Sequence, residues 1–87
     1  MGISAVILTH NNEDTLAVTL ASLKFCDEIL VIDDHSTDKT SSVAEKTGAM
    51  VYPHGLGGNF ATQRNFGLLK ARGEWVLFVD SDEVVSN

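Results

Sequence analysis

Cysteine is almost missing from this chain: Cys26 stands alone among 87 residues. A single thiol cannot form an internal disulfide, which excludes the disulfide-stapled secreted class and makes a reducing compartment, by default the cytoplasm, the best fit. Near a helix end, Cys26 reads as a small hydrophobe. Basic residues are scarce as well, six Lys and Arg against twelve Asp and Glu, for a net charge of −6. With no block of like charge, that balance argues against a nucleic-acid partner and against attraction to anionic membranes. A small anionic ligand would need a cation or a local positive group. No apolar run approaches the length of a membrane span. The N-terminus lacks the basic region and long apolar segment of a secretion signal. Internal repeats and low-complexity tracts are lacking too, and the length leaves room for one domain, residues 1–87, with one modest core.

What is there is a regular alternation of apolar runs and polar turns. Four runs, "ISAVIL", "EILVID", "AMVY" and "EWVLFVD", are rich in Val, Ile and aromatics. The first, second and fourth are nearly continuous, as in parallel strands buried on both faces. Between them lie three helical segments. From Glu13 to Leu23 the residues Leu16, Leu20 and Leu23 share a face, with Asn11 or Asn12 as cap and Glu13 and Asp14 at the positive end of the dipole. The second segment takes Ser36 or Thr37 as cap, carries a weak stripe of Thr40, Val43, Ala44 and Thr47, and stops at Gly48. The third runs from about Asn59 to Ala71 and ends at Gly73. The order β-α-β-α-β-loop-α-β predicts an α/β fold around a parallel sheet.

Such sheets bind ligands beyond the carboxyl ends of their strands, and polar residues collect at those ends: "THNNED", "DDHSTD" and "DSDE". Asp33, Asp34, Asp80 and Asp82 would gather at one rim. Like charges within about 4–6 Å oppose one another, and a divalent cation is the simplest compensation. All are hard oxygen donors, which suits Mg²⁺ or Mn²⁺, while His10, His35 and His54 lack the paired spacing of a zinc site. Asp-x-Asp alone is a weak motif; its place at the end of an apolar strand strengthens it, and Glu83 reads equally as a plain surface carboxylate. Asp34 or Ser36 could instead cap the second helix, or an ionised Asp of the pair could accept from a nucleobase ring N–H. In the third helix Arg64 and Asn65 interrupt a stripe formed by Ala61 and Leu68. Arg64 could hold a phosphate with its planar fork, or pair with Asp34 or Asp80. "GLGG" permits close backbone approach, but it lacks the Gly-x-Gly-x-x-Gly order and follows the wrong strand for a dinucleotide site.

Taken together, "ISAVILTHNNE", "DEILVIDDHSTDKT" and "ATQRNFGLLKARGEWVLFVDSDE" resemble, in order, the successive motifs of the nucleotide-binding half of family 2 glycosyltransferases with the GT-A fold. The resemblance spans essentially the whole chain. Its last run looks most like bacterial enzymes that build lipopolysaccharide core and related surface glycans. The resemblance implies a Rossmann-like, mostly parallel sheet in the order 3-2-1-4 with flanking helices, and a nucleotide-sugar donor, UDP-sugar by preference, bound with Mg²⁺ or Mn²⁺. It places Thr9, His10, Asn11 and Asn12 along the base and ribose site, and Asp33 and Asp34 at the acidic pair near the nucleobase. It places Asp80, Ser81 and Asp82 at the Asp-x-Asp that contacts ribose and metal, with Asp80 and Asp82 toward the ion, and Arg64 at the nucleotide edge. His10 stands where Tyr is frequent in the family, and Asn12 where Glu is.

The chemistry implied is displacement at an anomeric carbon, with the metal stabilising the departing diphosphate and a base activating the acceptor hydroxyl. In the family that base and the acceptor site belong to the second half of the domain. The expectation is therefore a fragment that keeps donor recognition without competent transfer and has no catalytic residue of its own. In the implied strand order the fourth strand is an apolar edge, which predicts self-association. A nucleotidyltransferase would carry a Gly-rich, basic loop after strand one, and "LTHNNEDTL" has neither feature. A receiver-type module would carry an Asp after strand three, where "VYPHG" stands. A metal- or nucleotide-binding module without chemistry of its own remains the other alternative.

Overall fold

The computed structural model describes residues 2–53 and 60–80. In chain order the elements are β1 (Ile3–Thr9), α1 (Glu13–Ala21), β2 (Glu28–Asp33), α2 (Thr40–Lys46), β3 (Met50–Pro53), α3 (Phe60–Lys70) and β4 (Trp75–Asp80). All pairings are parallel, and the sheet order is β3-β2-β1-β4, as expected. The register aligns Thr9 with Asp33, Asp33 with Pro53 and Leu8 with Asp80, so the four strands finish at one edge.

Alternation along the strands splits the apolar side chains between two faces. Ala5, Ile7, Val31 and Val79 meet Leu16 and Leu20 of α1, Leu23 beyond it, and Ala44 of α2. Val6, Leu30 and Ile32 point the other way, toward Phe66 on α3 and Ala71 just past it. β1 and β2 are thus covered on both faces, which is why their runs are continuous rather than alternating. Leu16, Leu20 and Leu23 are all buried, each contributing about 1.5–3 kcal/mol relative to exposure.

The helices correct three expectations, two of boundary and one of packing face. α1 ends at Ala21, because the chain tightens at Ser22, whose hydroxyl donates to the Thr19 carbonyl (2.6 Å), and Leu23 packs from beyond the helix. α2 begins at Thr40, not after Ser36 or Thr37; its first turn is met by Asp38, whose Oδ1 accepts from the Thr40 amide at 2.9 Å. On α3, Leu68 is about half exposed and the sheet-facing positions are Phe66, Gly67 and Ala71. Arg64 and Asn65 are exposed as well, so with Leu68 they form no buried stripe, and the Ala61 side chain lies outside the described residues. Gly48 does take the left-handed conformation, with φ 89°. Gly73 serves a different need: a Cβ there would sit 2.7 Å from the Ser4 backbone nitrogen.

At the amino edge of the sheet, Glu28 joins three segments. Its Oε2 accepts from Ser4 Oγ (2.5 Å) and from the Arg72 amide (2.7 Å), while the Gly73 amide donates to Ser4 Oγ (2.8 Å). Its Oε1 receives no hydrogen bond and lies 3.5 Å from Arg72 Nε, an ion pair whose arginine is largely exposed. Cys26 is a free thiol packed against the larger core, its pKa pushed up by burial and then by the Asp27 charge. No helix among the described residues is long and apolar enough to cross a membrane.

Candidate functional site

At the carboxyl edge, the loops after β1 and β2 are stitched into one polar rim. Its inner member is Asp33, which with Thr9 is almost fully buried. Asp33 Oδ1 accepts from Thr9 Oγ1 (2.8 Å) and Ser36 Oγ (2.5 Å); Oδ2 accepts from the Ser36 amide (3.1 Å) and Ser41 Oγ (3.4 Å). A buried carboxylate persists only when such donors replace its water. Asp33 is consequently a strut that folds the β2–α2 loop back on β1, and Asp34, the other member of the pair, is half-buried.

The seam continues residue by residue. The Asp34 amide donates to the Thr9 carbonyl (2.8 Å), and His10 Nδ1 lies 2.5 Å from the Asp34 carbonyl. The Asn11 amide donates to Ser36 Oγ (2.9 Å), and the Thr37 amide donates to Asn11 Oδ1 (2.8 Å). Asn12 does not cap α1 with its side chain: its Oδ1 accepts from the His10 amide (2.8 Å), and its amide donates to the buried Thr40 Oγ1 (2.8 Å). Asp38 Oδ2 reaches the Glu13 amide (3.3 Å), so one carboxylate serves the starts of both α1 and α2. The Thr40 hydrogen bonds, chiefly that from its hydroxyl, hold the Asp38 carboxyl below its ordinary range. Asn11 (φ 54°) and His35 (φ 49°) both adopt the left-handed conformation. That conformation is uncommon outside glycine and costs of order 1 kcal/mol or more, and it concentrates at functional turns.

The remaining candidates come from the other face. Val76, Phe78 and Asp80 alternate onto the α3 side of β4, with Asp80 exposed at the strand's end. The Arg64 guanidinium carbon lies 5.9 Å from the centre of the Phe78 ring, within cation–π range. Asp33 and Asp80 thus reach the same edge on opposite faces of the sheet. Ser81, Asp82, Glu83, His54 and "GLGG" lie outside the described residues. Among the described residues no three His, Cys, Asp or Glu side chains converge on a common point; Asp80 is the hard oxygen donor they offer at the β4 end. The residues that sequence reasoning undervalued are Ser36, Thr37, Asp38, Thr40 and Ser41. Their signal was the density of hydroxyls in "DDHSTDKTSS", which reads as helix capping but serves mainly to join two loops.

A parallel α/β sheet with its carboxyl-edge loops joined into one polar rim places the chain among Rossmann-like ligand-binding domains. The chain belongs to glycosyl transferase family 2, which it matches over residues 4–87, and its sheet is that of the GT-A fold. It is 40% identical to an uncharacterised glycosyltransferase of Rickettsia conorii over 97% of its own length, and spans 30% of that relative. The structure of Staphylococcus aureus TarS, a poly(ribitol-phosphate) β-N-acetylglucosaminyltransferase, superposes with a TM-score of 0.84 at 36% identity, over 97% of this chain and 17% of TarS. Glucosyl-3-phosphoglycerate synthase of Mycobacterium tuberculosis, crystallised with Mn²⁺, UDP and glucosyl-3-phosphoglycerate, gives a TM-score of 0.74 at 28% identity, over 92% of this chain and 33% of that one.

Proposed function

We propose that residues 1–87 form the donor-binding part of a glycosyltransferase that takes a sugar from a nucleotide-diphosphate sugar, UDP-sugar by preference. The observation that carries this is the stitched rim. It commits Thr9 and Asp33 to internal bonds and sets the half-buried Asp34 beside His10, Asn11 and Asn12, at the edge where Asp80 also ends. Asp34 can accept from a ring N–H of the base, an acceptor-only task. Arg64, beside Phe78, can reach a phosphate with its fork. Asp80, Ser81 and Asp82 would face the ribose and diphosphate, with Asp80 and Asp82 as hard donors for Mg²⁺ or Mn²⁺. When bound, that ion would neutralise charge on the departing diphosphate. The Mn²⁺ and UDP held by the mycobacterial synthase support this choice of ligand. The acceptor site and the general base are assigned outside these residues, and the free thiol fits a cytoplasmic setting.

The test is calorimetric titration with UDP, GDP and UDP-sugars, with and without Mn²⁺. UDP should bind, and more tightly with Mn²⁺. Asp34→Ala should weaken it roughly ten- to a hundredfold, the value of a hydrogen bond to a charged group, and Asp82→Ala should remove the metal dependence. Failure of every nucleotide to bind, or an Asp34→Ala variant that binds as the wild type does, would overturn the assignment.

A further inference from the structure

We propose that Asn11 is a positioning residue whose carboxamide fastens the β2–α2 loop to the β1–α1 loop, and that a proton on His10 undoes the fastening. The tautomer of His10 follows from its partners. The Asp34 carbonyl can only accept, so Nδ1 carries the hydrogen and, in the neutral ring, Nε2 presents a lone pair. That lone pair faces Asn11 Nδ2 at 3.4 Å, a donor. The other end of the same carboxamide, Oδ1, accepts from the Thr37 amide at 2.8 Å and faces the Thr37 hydroxyl at 3.5 Å. Asn11 therefore reads the ring with one end and holds the loop with the other.

Protonation of His10 puts a hydrogen on Nε2, directly against the hydrogens of Asn11 Nδ2. A half-turn of the carboxamide relieves the clash by offering Oδ1 to the ring, and a hydrogen bond from a charged donor is roughly twice as strong as a neutral one. The same half-turn sets Nδ2 against the Thr37 N–H, donor against donor. One carboxamide cannot serve both partners once the ring is charged. His10 Nδ1 still donates to the Asp34 carbonyl, and Ser36 stays held by Asp33 and the Asn11 amide, so what loosens is the Thr37 end of the turn after Asp34. That turn includes His35 in its left-handed conformation (φ 49°). The titratable and charged groups on the surrounding elements are Glu13 and Asp14 at the start of α1, Asp33, Asp34, His35, Asp38 and Lys39 on the β2–α2 side, and Asp80 at the end of β4.

Only the last step, weaker nucleotide binding, rests on the donor-site assignment above. The experiment follows the ¹⁵N-labelled protein by NMR from pH 8 to 5.5. The Thr37 amide should shift with the same midpoint as the His10 ring nitrogens. Its hydrogen exchange, corrected for the intrinsic pH dependence, should speed up roughly two- to tenfold, the value of one hydrogen bond. Asn11→Asp places an acceptor at both ends, so its Thr37 amide should stay protected or become more so at low pH. His10→Phe should leave Thr37 indifferent to pH although His35 is intact. A Thr37 amide that ignores the titration of His10, or responds equally in His10→Phe, overturns the proposal. UDP titrated at pH 7.5 and 5.5 should bind more weakly at the lower pH in the wild type but not in Asn11→Asp. If UDP binds at neither pH, the donor assignment fails while the Thr37 amide still decides the fastening.

Discussion

Glu28 closes the end of the sheet opposite the candidate site. Its carboxyl is held below its ordinary value of 4.5, first by the Ser4 hydroxyl and then, against the opposing effect of burial, by the Arg72 amide and charge. A group whose folded pKa is depressed contributes stability above its unfolded value and loses it as pH falls through the folded one. Stability should therefore hold at pH 6 and decline below about pH 4.5. Asp38 adds to the decline with the same sign, so a variant is needed to separate them. Glu28→Gln should be less stable than the wild type at pH 6 and lose less on going to pH 3, measured by urea midpoints at each pH. Equal losses in the two proteins would remove Glu28 from the account. At this scale the sequence was legible in type but not in direction. "DD" after "EILVI" marked an acidic strand end, yet which carboxylate turns inward depends on where Thr9, Ser36 and Ser41 place their hydroxyls. Those contacts join β1 to β2 and the loop beyond it, across up to 24 positions of chain, and no local pattern displays them.

Among the elements, the strands were the most legible, because β1 and β2 are covered on both faces and carry unbroken apolar runs. The third helix was the least. Ala61 and Leu68 have helical spacing, but the helix meets the sheet through a glycine, which leaves no apolar mark in the sequence. A Cβ on Gly67 would come within 2.6 Å of Val6 Cγ1. Val6 is buried in the sheet centre and stiff at χ1, so it cannot swing aside. The gain in helix propensity from Gly to Ala is about 1 kcal/mol, and overpacking of this kind costs about 1–3 kcal/mol. Because the clash is with a stiff, buried side chain, overpacking should win, and Gly67→Ala should be destabilised by up to about 2 kcal/mol net. The double variant Val6→Ala/Gly67→Ala should recover part of the loss, a coupling that denaturant unfolding of the four proteins would measure. Additive losses would show that the helix does not approach the sheet at Gly67.

For the molecule as a whole, the strand order leaves β4 paired, among the described residues, with β1 alone. That strand is apolar and without proline: Trp75 is 72% exposed on one face of the sheet and Phe78 39% on the other, with Leu68 and Leu69 exposed on α3 nearby in sequence. An uncovered edge of that composition is a template for another strand. The net charge of −6 opposes contact between copies, but at 0.15 M ionic strength the repulsion is screened beyond about 8 Å, whereas strand pairing acts at contact. Pairing should win at physiological salt. The mass seen by light scattering should rise with protein concentration and rise further with added salt. Trp75→Lys places a charge on the edge at an exposed position, and should return the protein toward a monomer without lowering its unfolding midpoint appreciably. Association that survives Trp75→Lys, or a monomer at every concentration and salt, would mean that the β4 edge is not where copies meet.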